Sequence, residues 1–217
     1  NGIDLDWDKA KYSINKGLWG TSIGGDETLT SHLALPESAY PSQLKTESPQ
    51  TISLTFIKGE LTAIDGKANS PEVLIQQLND VGSNFAIGRD IHVGDTIVGI
   101  KGRVGFEAAA ALITVKAHHL LEKHTLTKWQ LQHKDQLSNF YGMHLHEGQY
   151  LDPVMRDIEA FLISSQTSVS GDVEVVLKPY HFFINGVKSP FDLMNAKFGS
   201  YGEVNSGWTA EEAKGFI

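Results

Sequence analysis

The chain has 217 residues, about 41% of them apolar, no cysteine, and 26 acidic against 18 basic side chains for a formal charge of −8. The missing cysteines exclude disulfides, thiolate metal sites and a cysteine nucleophile. No run approaches the roughly 18 apolar residues of a membrane span, and the acidic balance argues against a surface that tracks nucleic-acid phosphates.

In chain order, residues 1–50 read as loop-rich, with the proline-punctuated "LPESAYPSQLKTESPQ" as their clearest stretch. Ile52, Leu54 and Phe56 then alternate with Thr51, Ser53 and Thr55, and a Lys58-Gly59 turn follows, which predicts a β-hairpin. Ser70-Pro71-Glu72 combines an N-cap, a first-turn proline and a dipole-suited acid, so a helix starts there with Val73, Leu74, Leu78 and Val81 inward. "TIVGIKGRVGF" reads as a strand, and "EAAAALITVKAHHLLEK" as a buried helix over 107–123. Further helices are expected from Lys128, capped by Thr127, and from Asp152-Pro153, the latter with Val154, Ile158, Phe161 and Leu162 on one face. "GDVEVVLKPYHFFING" is a second hairpin, and Thr209 with Glu212 forms a capping box near the end. A helix opened so deliberately at Thr209 and stopping at Ile217, barely two turns later, suggests a truncated chain, while a start at Asn1 fits either a processed start or an excised fragment. Strand pairs mixed with clustered helices predict one α+β domain with a mixed or antiparallel sheet.

Spacing alone yields little chemistry. His119 and His124 are five apart and His118 and His119 adjacent, so neither pair converges on a metal as a three- or four-residue helical spacing would. The glycines of "SIGGDET" lack the GK[ST] ending and the preceding buried strand of a phosphate loop. Lys101 and Arg103 share a strand face, suiting either an anion or neighbouring carboxylates. Glu147, Asp152, Arg156, Asp157 and Glu159 read as helix-end and surface charges, and no Ser-His-Asp triad can be assigned.

Five blocks in order carry a resemblance: "YSINKGLWGTS", "GRDIHVGDTIVGIKGRVGFEA", "LHEGQYLDP", "SSQTSVSGDVEVVL" with "NGVKSPFDL", and "TAEEAKGFI". Together they resemble the C-terminal synthetase and multimerisation domain of the argininosuccinate synthase family, over essentially the whole chain. The resemblance implies residues 1–217 as that one domain, with the ATP-binding domain and its SGGLD-type loop upstream and a C-terminal oligomerisation helix beyond the end. It implies a cytoplasmic, bacterial ligase that joins citrulline to aspartate. ATP is spent, and Mg2+ accompanies it; both are held mainly by the other domain, and neither is expected on this chain. It also implies a homotetramer, with no nucleic-acid or membrane partner, and an isolated chain without activity. No catalytic residue and no metal ligand is expected here, because the chemistry asks for positioning and charge stabilisation.

The resemblance places two citrulline-holding serines at Ser13, after the tyrosine of a "YS" pair, and at Ser22, nine residues on and before the glycine pair. Two further family ligands, a glutamate in "VEN" and a tyrosine in "SRGVYE", fall at Gly94 and Phe106, so a carboxylate and a phenol hydroxyl are missing. Asp95 could substitute only with a backbone shift, since one step along a strand reverses the side-chain direction. His92 and the absent domain are other sources of the contact. Alternatively the substrate is a citrulline whose α-amine is masked by an acyl group. Outside the family, the remaining reading is a non-catalytic α+β module that binds an amino acid or mediates assembly.

Overall fold

Alternation at Ile52, Leu54 and Phe56 places these three side chains in the main core, and the Lys58-Gly59 turn closes the hairpin with both residues at positive φ (50° and 85°). The computed structural model describes residues 11–195 and 207–217. Its strands are β1 Tyr12–Gly17, β2 Gly20–Gly25, β3 Gln50–Ile57, β4 Glu60–Ile64, β5 Lys67–Ala68, β6 Arg89–Asp95, β7 Lys101–Glu107, β8 Gly171–Lys178 and β9 His181–Lys188. Its helices are α1 Pro71–Asn84, α2 Ala109–Thr125, α3 Lys128–His146, α4 Val154–Ser165 and α5 Ala210–Lys214. The strands form two antiparallel sheets, in the orders β5-β4-β3-β8-β9 and β1-β2-β7-β6, so the architecture is α+β within one domain.

The five-stranded sheet carries the core. Ile52, Leu54, Phe56, Val173, Val175 and Leu177 from β3 and β8 meet Ile75 and Leu78 of α1 and Ile113, Ala117 and Leu121 of α2. The inward face of α1 is Leu74, Ile75 and Leu78, whereas Val73 is 38% exposed, so the helix is turned from the expected face by about one position. The buried alanines Ala109 and Ala110 at the start of α2, with Ala117 further along, let it lie close to the sheet. Thr127 caps α3 through the Gln130 N–H, and the Gln130 side chain returns the bond to the Thr127 N–H. The α3 helix has no fully buried residue and packs mainly on α4, with its partly buried Leu131 against the main core.

Two elements depart from the expected order. Residues 12–25, read as loop, form the β1–β2 hairpin, and residues 89–95 form β6, an edge strand that pairs with β7. Residues 97–100, read as part of a longer strand, are instead the β6–β7 connection. Each surprise has the same cause: these strands bury one face only thinly, so their apolar alternation is weak. Residues 1–10 of the loop-rich stretch lie outside the described residues.

The four-stranded sheet is covered on one side by the strap between β2 and β3. Ile23 packs there with Leu35 and Ala39, bordered by Tyr12, Tyr40 and Ile91. The Arg103 guanidinium fastens the strap by donating to the carbonyls of Glu27 (2.8 Å), Thr30 (2.7 Å) and Leu33 (2.8 Å). Arg89 does the same further along, donating to Glu37 Oε1 (2.6 Å) and to Glu107 Oε2 (3.3 Å) while lying over the Tyr40 ring. Asn79 of α1 ties the β1–β2 hairpin to the helices. Its amide donates to the Leu18 carbonyl at the hairpin tip, and its Oδ1 accepts from the Ala110 N–H in the first turn of α2.

Candidate functional site

In an antiparallel sheet, directly opposed residues share a face and side chains alternate along each strand. Ser13 stands opposite Gly24, and Asn15 opposite Ser22. Ser22 in turn stands opposite Phe106, and Phe106 opposite Asp90. Two steps along β6 bring His92, and two more Gly94, which pairs with Gly102. Ser13 and Ser22, and Gly94 and Phe106 more than seventy residues further along the sequence, therefore lie on one face of one sheet. This is the face the strap leaves open: Ser13, Asn15, Asp90 and His92 are exposed, and Ser22, Gly94 and Phe106 half-buried. The strap side takes Tyr12, Ile23, Ile91, Arg103 and Gly105.

The hydroxyls of Ser13 and Ser22 have no partner among the described residues, so both are free to donate or accept. Backbone pairing holds their positions, and the buried Ile23 beside Ser22 anchors the strand from below. Of the neighbouring glycines, Gly24 would meet nothing within 4 Å if it carried a Cβ, which leaves this part of the shelf low and open. The Gly25 position is different, since a Cβ there would lie 2.4 Å from the Tyr12 ring. The pair thus serves open space at one residue and close packing at the next.

Asp95 does not join this group. Its place in β6 turns it to the strap face, and its carboxylate accepts from Lys101 Nζ at 2.7 Å. His92 does join it. Its ring lies edge-on to Phe106, with centroids 5.8 Å apart and planes at 74°, and reaches across Gly94. A Cβ at Gly94 would sit 3.0 Å from His92 Nε2, so the absent side chain makes room for the imidazole. Neither ring nitrogen of His92 has a partner among the described residues. Asn15 and Asp90, which sequence reading passed over, complete the polar rim; Asp90 Oδ1 accepts from the Ile91 N–H at 2.7 Å. The signal was the alternation of Arg89, Ile91 and Val93 against Asp90, His92 and Gly94, legible once β6 is known to be a strand.

The other polar clusters have structural partners. Lys101 pairs with Asp95, Arg103 with the strap carbonyls, and Arg156 Nη2 with Glu159 at 2.7 Å. His118 and His119 approach the fully buried Glu122 (Nδ1 to Oε2 3.8 and 3.6 Å), which accepts from Lys134 Nζ at 2.6 Å and from Gln166 Nε2 at 2.8 Å. Burial lowers the His118 pKa, against the opposing pull of Glu122. Among the described residues no three His, Asp or Glu side chains are grouped to hold a metal ion, and no helix is long and apolar enough to cross a membrane. A cavity of about 690 Å³ lies on the strap side, lined by Lys16, Thr21, Ser42, Asn79 and Glu107 among others. It is separated from the serine face by the sheet itself, so the serines look onto an open shelf.

The sequence matches the family model described as the arginosuccinate synthase C-terminal domain over residues 12–217. The chain is 36% identical over 214 residues to the argininosuccinate synthase of Xanthomonas campestris pv. campestris, covering 95% of this chain and 52% of that protein. It is 34% identical over 210 residues to that of Dictyoglomus turgidum (96% and 53%), and 30% identical over 205 residues to that of Methanocaldococcus jannaschii (93% and 52%). The chain thus spans about half the length of the curated relatives it matches. With almost the whole chain matched, it belongs to the argininosuccinate synthase family, as that family's C-terminal domain.

Proposed function

We propose that this chain is the citrulline-binding half of a cytoplasmic, ATP-dependent carbon–nitrogen ligase that joins a citrulline to aspartate in arginine biosynthesis. The single observation that carries the reading is the strand register, which gathers Ser13, Ser22, Phe106 and Gly94 onto one uncovered face. In the reaction, the ureido oxygen attacks the α-phosphorus of ATP and pyrophosphate leaves. The aspartate amine then displaces AMP at the ureido carbon, giving argininosuccinate. Mg2+ travels with the nucleotide; both are held by the nucleotide-binding half, and no step passes through a metal ligand of this chain.

The part of these residues is to bind and orient. Two short hydroxyls on neighbouring paired strands fix the amino-acid end of the substrate, leaving the ureido end to project toward the nucleotide. Positioning of this kind is worth several kcal/mol when the reacting atoms are brought to about 3–3.5 Å. An open shelf suits such a half-site, because the second wall comes from another domain. Assembly as a homotetramer follows the family.

The test is turnover by the intact synthase and by this chain alone. The intact enzyme releases AMP only when aspartate and a citrulline-type substrate are both present, whereas pyrophosphate already leaves in the first step with the citrulline-type substrate alone. AMP formation by residues 1–217 alone would overturn the division of labour.

A further inference from the structure

Resting on that reading, we infer that the substrate presented to this face carries an acylated α-nitrogen, and that His92 and Phe106 are the residues that read the acyl group. Three observations carry the inference. At Gly94, nearest the end of the shelf, there is no side chain at all, and the space is taken by the His92 imidazole, 3.0 Å from where a Cβ would stand. The ring is braced edge-on against Phe106, and its two nitrogens have no partner among the described residues. Neither nearby carboxylate stands at Gly94. Asp95 faces the strap and holds Lys101, while Asp90 lies four residues from Gly94 and turns Oδ1 to the Ile91 N–H.

An ammonium group arriving between His92 and Gly94 would meet an imidazole and bare backbone. Among the described residues the carboxylate on this face, Asp90, stands further along β6, opposite Phe106, with one oxygen accepting from the Ile91 N–H. A neutral amide fits His92 and Phe106 well. Its carbonyl accepts from an imidazole N–H, and the small apolar part of the acyl group lies against the phenyl ring. Acylation thus removes a charge that no side chain at position 94 balances and supplies the acceptor that the His92 N–H lacks. The reaction itself is unchanged, because the ureido group at the far end of the molecule still does the chemistry.

The experiment compares citrulline with Nα-acetylcitrulline as substrates of the intact synthase containing this chain, alongside His92→Leu, His92→Gln and Gly94→Glu/Phe106→Tyr variants. The expected result is a kcat/KM for the acetylated substrate at least about tenfold above that for citrulline, the size of one charge-assisted contact. His92→Leu should erase most of that preference through KM, His92→Gln should keep part of it, and Gly94→Glu/Phe106→Tyr should turn it toward citrulline. Preferential turnover of plain citrulline, with Ser13→Ala and Ser22→Ala still raising its KM, overturns the inference and leaves the proposed function standing. Turnover of neither substrate overturns both. A His92→Leu enzyme that loses activity equally toward both substrates with unchanged KM assigns His92 a structural role and likewise overturns the inference.

Discussion

Replacing Arg103 with methionine should loosen the strap that closes the back of the binding sheet. The guanidinium donates three bonds of 2.7–2.8 Å to main-chain carbonyls of Glu27, Thr30 and Leu33. Bonds to a charged group contribute about 1.5–3 kcal/mol each. Arg103 is only half-buried, so the lower end applies, and the freed carbonyls can recruit water. Against the resulting ~4 kcal/mol stands the rotamer freedom a held arginine gives up, about 2 kcal/mol. The net loss is about 2–3 kcal/mol, or roughly 4–12 °C in Tm for a domain of this size. Arg103→Lys should recover less than half, because one ammonium on a flexible stem cannot reach three carbonyls in a fixed fork. Denaturant unfolding measures the loss, and hydrogen exchange localises it, with amides of residues 26–35 and Ile23 exchanging faster first. A methionine variant within about 0.5 kcal/mol of the parent, the range of an ordinary surface change, would refute the strap argument.

Three more outcomes follow from the packing. Lys134→Met should destabilise by about 3–5 kcal/mol, because it strands the Glu122 carboxylate in the core with only Gln166 and two histidines near it; replacing both with Met and Leu should cost less than the single change, as equilibrium unfolding would reveal. Gly105→Ala places a Cβ 2.2 Å from Leu35 Cδ1 and should cost about 1–3 kcal/mol, whereas Gly24→Ala, with nothing within 4 Å, should be near neutral in stability; equal costs would mean the two faces are wrongly assigned. His118 has a pKa lowered mainly by burial, so the unfolded chain binds its proton more readily and stability rises with pH through the interval below about 6.5. Thermal unfolding between pH 5 and 7.5 should therefore show a shallower pH dependence in His118→Gln than in the parent, and identical slopes would contradict the assignment.

Elements with strong local signals were legible from the residues. The hairpins at 50–64 and 171–188 announced themselves through alternation and turn residues, and the helices beginning near Pro71, Lys128 and Ala210 through their caps. The β1–β2 hairpin was not, because Ser13, Asn15, Ser22 and Gly24 face open space and only Ile23 of β2 is a buried apolar side chain. A strand with one polar face and one thin apolar face looks like loop until its partner is known. Edge strand β6 was hidden for the same reason.

Ser13 and Ser22 were singled out through resemblance, and their spacing did not reveal that they share a sheet face with residues 94 and 106. Cross-strand register is a long-range property, set by the pairing of β2 with β7, and no local pattern encodes it. Once the register is known, the alternation rule that cast doubt on Asp95 also explains why it turns to the strap and why His92 does not.

The most direct test of the central claim is equilibrium binding of citrulline and Nα-acetylcitrulline to the intact synthase carrying Ser13→Ala, Ser22→Ala or both. One neutral hydrogen bond is worth about 0.5–1.5 kcal/mol, so each single change should weaken binding of the preferred substrate by roughly 2- to 13-fold. The double variant should weaken it further, with the unfolding midpoint unchanged. A double variant that binds both ligands as the parent does would mean that the open face of the four-stranded sheet is not where the substrate lies.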